Sequence, residues 1–317
     1  MKHKVSVIGG AGNVGSSAVL EIARRDIADV VMLDLEVVRE KTMGKANDTS
    51  QAGSILGYSS VVTGTSDYED VKDSDVVIIT AGLPRKPGMS RDDLLEINEK
   101  IITEISENIR KYAPDSKIII VTNPIDAMNY VVHKVTGFPN ERVIGMAGEL
   151  DTARFRDFLS KKINVSRKDI DVTILGTHGD QMVPVLEASS VRGIGISNLL
   201  SDEEMEECVQ KTVSAGGDLT KMIGTSAWIA PGVAISEMVA SILLDQKRVF
   251  SASVLMTGNE EGYGGVRDVC IGVPVVLGKN GLERVLPIRM NPGTMEKFKA
   301  SVAKEIEKRD KLKVFKG

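Results

Sequence analysis

Two textures alternate along the first half of the chain. Short β-branched runs, Val5–Ile8, Val30–Leu33, Val76–Thr80 and Ile118–Val121, read as nearly continuous apolar segments of buried parallel-strand size. Between them, Val14–Arg24, Lys41–Ala52 and Met89–Tyr112 carry helical periodicity. Gly53 is placed as the stop of one helix and Pro114 as the stop of another. The β-α-β-α order predicts an α/β fold with a doubly wound parallel sheet, the Rossmann arrangement.

The second half changes character. Helical patterns are expected at Leu150–Leu159, Asp202–Ile223, Ile229–Leu244 and Thr294–Lys308. Strands are expected at Val172–Leu175, Met182–Val185, Val249–Met256 and Val269–Leu277. This is a mixed α+β domain. The boundary is placed near Gly145, giving units 1–144 and 145–317, with no internal repeat or low-complexity linker.

Composition narrows the class. The 317 residues allow about two domains at roughly 150 residues each. A net charge of -4 and no Lys/Arg-rich block give no reason to expect nucleic acid. Cys208 and Cys270 stand far apart, so neither a zinc site nor a disulfide framework is expected. Trp228–Leu244 is interrupted by Pro231, Ser236, Glu237 and Ser241, and reads as a buried helix, not a membrane span. The expected setting is cytoplasmic.

Gly10-Ala11-Gly12-Asn13-Val14-Gly15 lies between the first strand and the first helix. Here Gly10 is assigned the tight turn, Gly12 the close approach to a pyrophosphate, and Gly15 the packing of helix on strand. The amides of the helix N-terminus favour the anion. The next strand ends at Asp34, placed to hydrogen-bond ribose hydroxyls and to repel a 2′-phosphate. NAD is therefore expected over NADP, although Arg39 and Lys41 lie nearby.

The segment after the strand Val76–Thr80 carries Arg85, Lys86 and Arg91 among Pro84, Pro87 and Gly88. A guanidinium fork binds carboxylates bidentately, so this segment suits a lid over an anionic substrate. Asp151 and Arg154 sit at i and i+3 on one helix. His178 follows in Gly176-Thr177-His178-Gly179-Asp180, one of three histidines in the chain. Removing a hydroxyl proton as hydride leaves the adjacent carbon calls for a base that titrates near neutrality, which singles out histidine.

Taken together, GAGNVG, the strand-ending Asp34, PRKPGMSR, Val121-Thr122-Asn123-Pro124, LDTAR and GTHGD resemble the lactate/malate dehydrogenase family over nearly the whole chain. The resemblance implies His178 as proton acceptor, with Asp151, not Asp180, orienting it. It implies Arg154 on the substrate carboxylate, Arg91 polarising the carbonyl, and Asn123 beside nicotinamide and substrate. It places Gly10, Gly12, Asn13, Val14, Gly15, Asp34, Asn98, Val121 and Asn123 at the cofactor.

Arg85, six residues before Arg91, occupies the position at which the family separates malate from lactate. Its guanidinium would pair with the second carboxylate of malate or oxaloacetate, and lactate or pyruvate would leave it buried and unpaired. Ala227 matches a small-residue position of the malate enzymes. The resemblance further implies a homo-oligomer, a tetramer ahead of a dimer. The alternatives are a lactate or other 2-hydroxyacid dehydrogenase and, from a different class, a non-catalytic dinucleotide sensor. Gly9, the charged stretch after Asp34, and Glu149 depart from the family pattern.

Overall fold

A computed structural model describes residues 2–84 and 90–316, apart from the side chains of Arg91 and Lys316. Six parallel strands form the first half of the main sheet: β1 (His3–Ile8), β2 (Ala28–Leu33), β3 (Val62–Thr65), β4 (Val76–Ile79), β5 (Lys117–Ile120) and β6 (Val143–Gly145). Their order is β3-β2-β1-β4-β5-β6. The helices α1 (Asn13–Arg24), α2 (Arg39–Leu56), α3 (Arg91–Tyr112) and α4 (Ile125–Thr136) make the crossovers. The winding reverses between β1 and β4, and a crevice for ligands opens at such a switch, outside the carboxyl ends of the strands.

The remaining elements are α5 (Gly148–Ile163), β7 (Ile170–Asp171), β8 (Ile174–Gly176), β9 (Met182–Pro184), β10 (Ser190–Val191), β11 (Ile194–Gly195), α6 (Asp202–Ile223), α7 (Ile229–Leu243), β12 (Arg248–Thr257), β13 (Arg267–Gly278), β14 (Gly281–Val285), α8 (Pro292–Arg309) and α9 (Lys313–Lys316). Strand β12 joins β6 antiparallel at Ser253 and Gly145, so the sheet continues through β12, β13, β8 and β9. One apolar cluster correspondingly runs through both halves and includes Val5, Ile22, Ile144, Ile235 and Val254. Each such side chain contributes about 1.5–3 kcal/mol by leaving water.

Several differences from the sequence expectation have clear causes. Helix α2 passes through Gly53 and ends at Leu56. Gly53 serves packing there: a Cβ would sit 2.8 Å from the Tyr58 carbonyl oxygen. Of the expected strand Val172–Leu175 only Ile174 and Leu175 are in a strand, β8 of the main sheet, while Val172 and Thr173 link it to β7, which belongs to a small three-stranded sheet with β10 and β11. The elements β3, α4 and β6 were not foreseen. Helix α4 carries Asp126, Asn129 and His133 at helical spacing, but these polar residues are buried along with the apolar ones over Ile125–His133, and the helix spans only 12 residues.

Helices α1 and α7 pack directly on each other within the chain. A Cβ on Gly232 of α7 would lie 2.7 Å from Ser17 Cβ and 2.9 Å from the Ala18 nitrogen of α1. Arg25 donates to Ser236 Oγ over 3.2 Å and pairs with Glu237 at the same junction. The low charge of these two helices thus reflects burial inside one subunit. No described helix is long and apolar enough to cross a membrane. Gly232→Val should force the pair apart and lower unfolding free energy by about 1–3 kcal/mol in urea titration. An unchanged midpoint would contradict this packing account.

Candidate active site

The crevice begins at the phosphate loop. Gly9 and Gly10 both donate their amides to the Leu33 carbonyl, over 2.9 and 3.0 Å, turning the chain at the end of β1. The left-handed residue is Gly9, with φ of +81°, and a Cβ there would come 2.6 Å from the Ala81 nitrogen. The tight turn therefore belongs to Gly9, the glycine ahead of the motif, and not to Gly10. Gly10 meets a different constraint: its Cβ would press on Met32. A Cβ on Gly15 would come 2.8 Å from Gly10 Cα, which is the helix-on-strand contact expected of it. Helix α1 starts at Asn13 with Gly12 as its N-cap and no side-chain cap. Its first amides, Asn13 and Val14 among them, lack intrahelical partners.

Asp34 ties this loop to the second strand. Its Oδ2 accepts the Ala11 amide and its Oδ1 the Leu35 amide, each over 2.9 Å. Lys45, which sequence reasoning did not single out, donates to the Ala11 carbonyl over 2.8 Å. Partial burial and Lys41 lower the Lys45 pKa, against the pull of Asp34. Arg39 lies 3.6 Å from Glu36 in an exposed pair.

Asn98, buried on α3, acts as a brace. Its Oδ1 accepts the Leu83 amide over 2.9 Å, and its Nδ2 donates to the carbonyls of Leu83 and Asn123 over 3.2 and 2.7 Å. The loops after β4 and β5 are thereby held together. Helix α3 begins with a capping box between Ser90 and Asp93, which sets Arg91 in its first turn. Arg85 lies outside the described residues, as does the Arg91 side chain.

The centre of the site lies on α5 and the loop after β8. Asp151 is 1% exposed, and its two oxygens are divided between two partners. Oδ2 stands 2.7 Å from His178 Nδ1, and Oδ1 accepts from Arg154 Nη1 over 3.2 Å. A buried carboxylate at Nδ1 makes that nitrogen the N–H donor and leaves Nε2 as the basic atom. Burial opposes charge on His178, but the attraction of Asp151 and its hydrogen bond prevail and raise the imidazole pKa. Arg154 works against that rise and Asp126 adds to it.

The other histidines offer no comparable chemistry. His133 is buried on α4 and its pKa is pushed down to about 4, chiefly by burial and then by Lys134. His3 is half-exposed, 3.2 Å from Asp75.

Of the two glycines around His178, Gly176 acts on the chain itself, whereas a Cβ on Gly179 would meet none of the described residues within 4 Å. Gly176 has φ of +85°, and its absent Cβ makes room for Ser301 Oγ of α8, at 2.6 Å from where the Cβ would be. Ser301 Oγ also accepts the Thr177 amide over 2.9 Å. Asp180 follows in a turn, as expected.

Val14, Val121, Asn123, Arg154, His178 and Ala227 line one cleft of about 260 Å³. The structure thus gathers these six residues from distant parts of the sequence. Ile125, Met146, Leu150, Gly216, Thr220, Ser226 and Pro231 complete the wall and were not foreseen as site residues. The signal for Gly216 was a glycine pair inside a helix, which is costly unless something approaches closely. A Cβ there would lie 3.4 Å from Arg154 Nη1, so the guanidinium is seated on α6. Among the described residues, Arg154 Nε is buried without a hydrogen-bond partner. Glu149 points elsewhere, and its carboxyl is held above the usual range by burial, against Arg156 and Arg248.

Comparison with known proteins accords with this geometry. The lactate/malate dehydrogenase NAD-binding domain matches residues 3–145, and the lactate/malate dehydrogenase alpha/beta C-terminal domain matches residues 148–315. The chain belongs to the lactate/malate dehydrogenase family. A malate dehydrogenase of Staphylococcus carnosus is 46% identical over 291 residues, 92% of each chain. The apo malate dehydrogenase of Picrophilus torridus superposes with a TM-score of 0.94 at 40% identity, covering 98% of this chain and 97% of that one. The Cryptosporidium parvum lactate dehydrogenase, solved with lactic acid and nicotinamide adenine dinucleotide, reaches 0.93 at 34% identity, covering 98% of both chains. Within this family the backbone alone does not separate the two activities.

The pairing predicts a pH signature. In Asp151→Asn the raising influence is lost while burial and Arg154 remain. The His178 titration midpoint, followed by NMR of labelled histidine, should fall by at least about one unit. An unmoved midpoint would mean that Asp151 does not govern the imidazole.

Proposed function

We propose that this chain is an NAD-dependent malate dehydrogenase. The observation that carries the reading is the His178–Asp151–Arg154 array facing the same cleft as Val14, Val121 and Asn123. A dinucleotide sensor has no use for a buried base–carboxylate pair beside an arginine. In this reading residues 1–144 hold the cofactor and 145–317 supply most of the substrate site.

The residues present fit the cofactor. The glycine-lined turn and the first amides of α1 would receive the pyrophosphate. The Asp34 carboxylate stands where ribose hydroxyls are bound, retaining acceptor capacity beyond its two backbone amides. Val14 and Val121 offer apolar surface to the nicotinamide, with Asn123 alongside and Asn98 holding the Asn123 loop in place. When bound, NAD accepts hydride from the hydroxyl-bearing carbon of the substrate.

The protein's own part is positioning and proton transfer. The Arg154 fork binds the carboxylate next to the reacting carbon. His178 Nε2 takes the hydroxyl proton as the carbon–hydrogen bond is lost. Asp151 stabilises the resulting imidazolium without accepting its proton. In the reverse direction the imidazolium returns that proton to the carbonyl oxygen, whose developing charge Arg91 stabilises. The Arg85 guanidinium pairs with the second carboxylate, which makes the substrate a dicarboxylate. We place the enzyme in the cytoplasm as a homotetramer. The exposed Leu35, Val37, Ile55 and Leu56 around α2 support contact with another subunit.

NADH oxidation assayed with oxaloacetate and with pyruvate tests the substrate reading. Oxaloacetate should be preferred by at least about a hundredfold in kcat/KM, NADPH should be the poorer donor, and Arg85→Gln should lose most of the substrate preference. Equal use of pyruvate would transfer the chain to the lactate or broader 2-hydroxyacid reading. His178→Gln should lower kcat by about 10²–10⁴-fold while NADH still binds. NADH binding without turnover by the wild type, on any 2-hydroxy or 2-keto acid tried, would favour the sensor.

A further inference from the structure

Behind the histidine loop lies a second set of buried charges. Asp126 is the second residue of α4, and Glu305 and Lys308 lie near the end of α8. The two carboxylic side chains are 2% and 1% exposed. Both converge on Thr177, the residue preceding His178. Thr177 Oγ1 is 2.7 Å from Asp126 Oδ2 and 3.1 Å from Glu305 Oε2. Lys308 Nζ donates to Glu305 Oε2 over 2.6 Å and lies 3.5 Å from Thr177 Oγ1. Among the described residues, the remaining oxygens, Asp126 Oδ1 and Glu305 Oε1, are buried without a close hydrogen-bond partner, although the Ser253 side chain also acts on the Asp126 carboxyl.

Proton counting decides what this geometry means. A hydroxyl carries one proton, yet Thr177 is in hydrogen-bond contact with two carboxylic oxygens. Two ionised carboxylates would leave one of these contacts without a proton and put two like charges close together in the interior. The arrangement that satisfies both contacts and keeps Glu305 ionised beside Lys308 has an un-ionised Asp126 donating to Thr177 Oγ1 and the Thr177 hydroxyl donating to Glu305. The bare Asp126 Oδ1 is then the carbonyl oxygen of a neutral acid, far cheaper to bury than half of a carboxylate.

We propose that Asp126 and Glu305 share one proton across the Thr177 hydroxyl, held mainly by Asp126, and that this pair is a positioning element for His178. It fixes the histidine loop between α4 and α8. Loss of its proton to solvent adds a negative charge behind the imidazole and strengthens the imidazole's hold on its own proton. The proton has an exit: Thr177, His178 and Lys308 line a cleft of about 360 Å³ that Arg154 does not line.

Burial and repulsion agree with a single shared proton. Burial raises the Asp126 carboxyl against its hydrogen bonding with Ser253 and Thr177, and burial together with the charge of Asp126 brings Glu305 to about 7 against the pull of Lys308. The charged or titratable groups acting on His178 are Asp151 and Arg154 of α5 and Asp126 of α4. The carboxyl pair itself faces Lys308, His178 and the buried Cys270 of β13. The structural half of the proposal stands alone, whereas its consequence for turnover rests on His178 being the base.

Infrared spectroscopy of the full-length protein labelled with carboxyl-¹³C aspartate reads the shared proton directly. Near pH 6 the wild type should show the carbonyl stretch of an un-ionised carboxyl, displaced by the label and fading as the pH passes the neutral range. Asp126→Asn should lack that band. Glu305→Gln, without the repelling partner, should lose it at least about one pH unit lower than the wild type. By histidine NMR, the His178 midpoint in Asp126→Asn should fall by about half a unit, because the late negative charge never forms.

No un-ionised aspartic carboxyl near pH 6, or a band that survives Asp126→Asn, would overturn the proposal. A band that titrates identically in Glu305→Gln would do the same for the sharing. An unmoved His178 midpoint in Asp126→Asn would remove the positioning role. None of these readouts depends on turnover, so an inactive enzyme with the expected bands would sink the functional reading and leave the pair standing.

Discussion

A buried negative charge organises this active site. Asp151 is almost fully removed from water on α5, and an unpaired carboxylate at that depth would be costly. Its charge is tolerable because one oxygen faces His178 Nδ1 and the other accepts from Arg154. That division sets the rest of the geometry. It selects the imidazole tautomer, raises the proton affinity of the exposed nitrogen, and holds the arginine within reach of the same cleft. Imidazole and guanidinium are therefore kept in register by a single group.

The fold delivers that group to the crevice by continuing one sheet across the chain. Strand β6 ends the parallel half, and β12 takes up the ladder at Gly145. The loops after β1, β4 and β5 open at the switch in winding. The loop after β8, from the other half, brings His178 to meet them. Small residues allow the close approaches this requires: Gly9 at the first turn, Gly176 under Ser301, and Gly216 under Arg154. Asn98 adds the polar brace between the loops.

Much of this was legible along the sequence. The apolar runs of β1, β2, β4 and β5, the glycine loop, Asp34 and the Asp151–Arg154 spacing are local signals, and each carries its physical reason within a few residues. What escaped notice was non-local or atypical. Strand β3 is a short edge strand, Val-Thr-Gly-Thr, with little apolar content. Helix α4 is short, follows a proline and buries even its polar positions Asp126, Asn129 and His133, so its helical spacing was passed over. Gly53 looked like a stop because its packing partner, Tyr58, lies beyond the helix end. The convergence of Asp126, Thr177 and Glu305 joins residues 51 and 128 positions apart, a relation no local pattern encodes. The arginine segment is the reverse case: its chemistry is plain in sequence, while Arg85 and the Arg91 side chain lie outside the described residues.

The central claim is that the imidazole paired to Asp151 carries the proton exchanged with substrate. Calorimetry tests it most directly. An unreactive keto-dicarboxylate analogue is titrated into the enzyme–NADH complex in two buffers of different ionisation enthalpy. Its carbonyl needs a proton donor at His178 Nε2. Above the His178 midpoint, binding should therefore draw in about one proton per site, and well below it none. Binding that takes up no proton at any pH from about 6 to 9 would contradict the account.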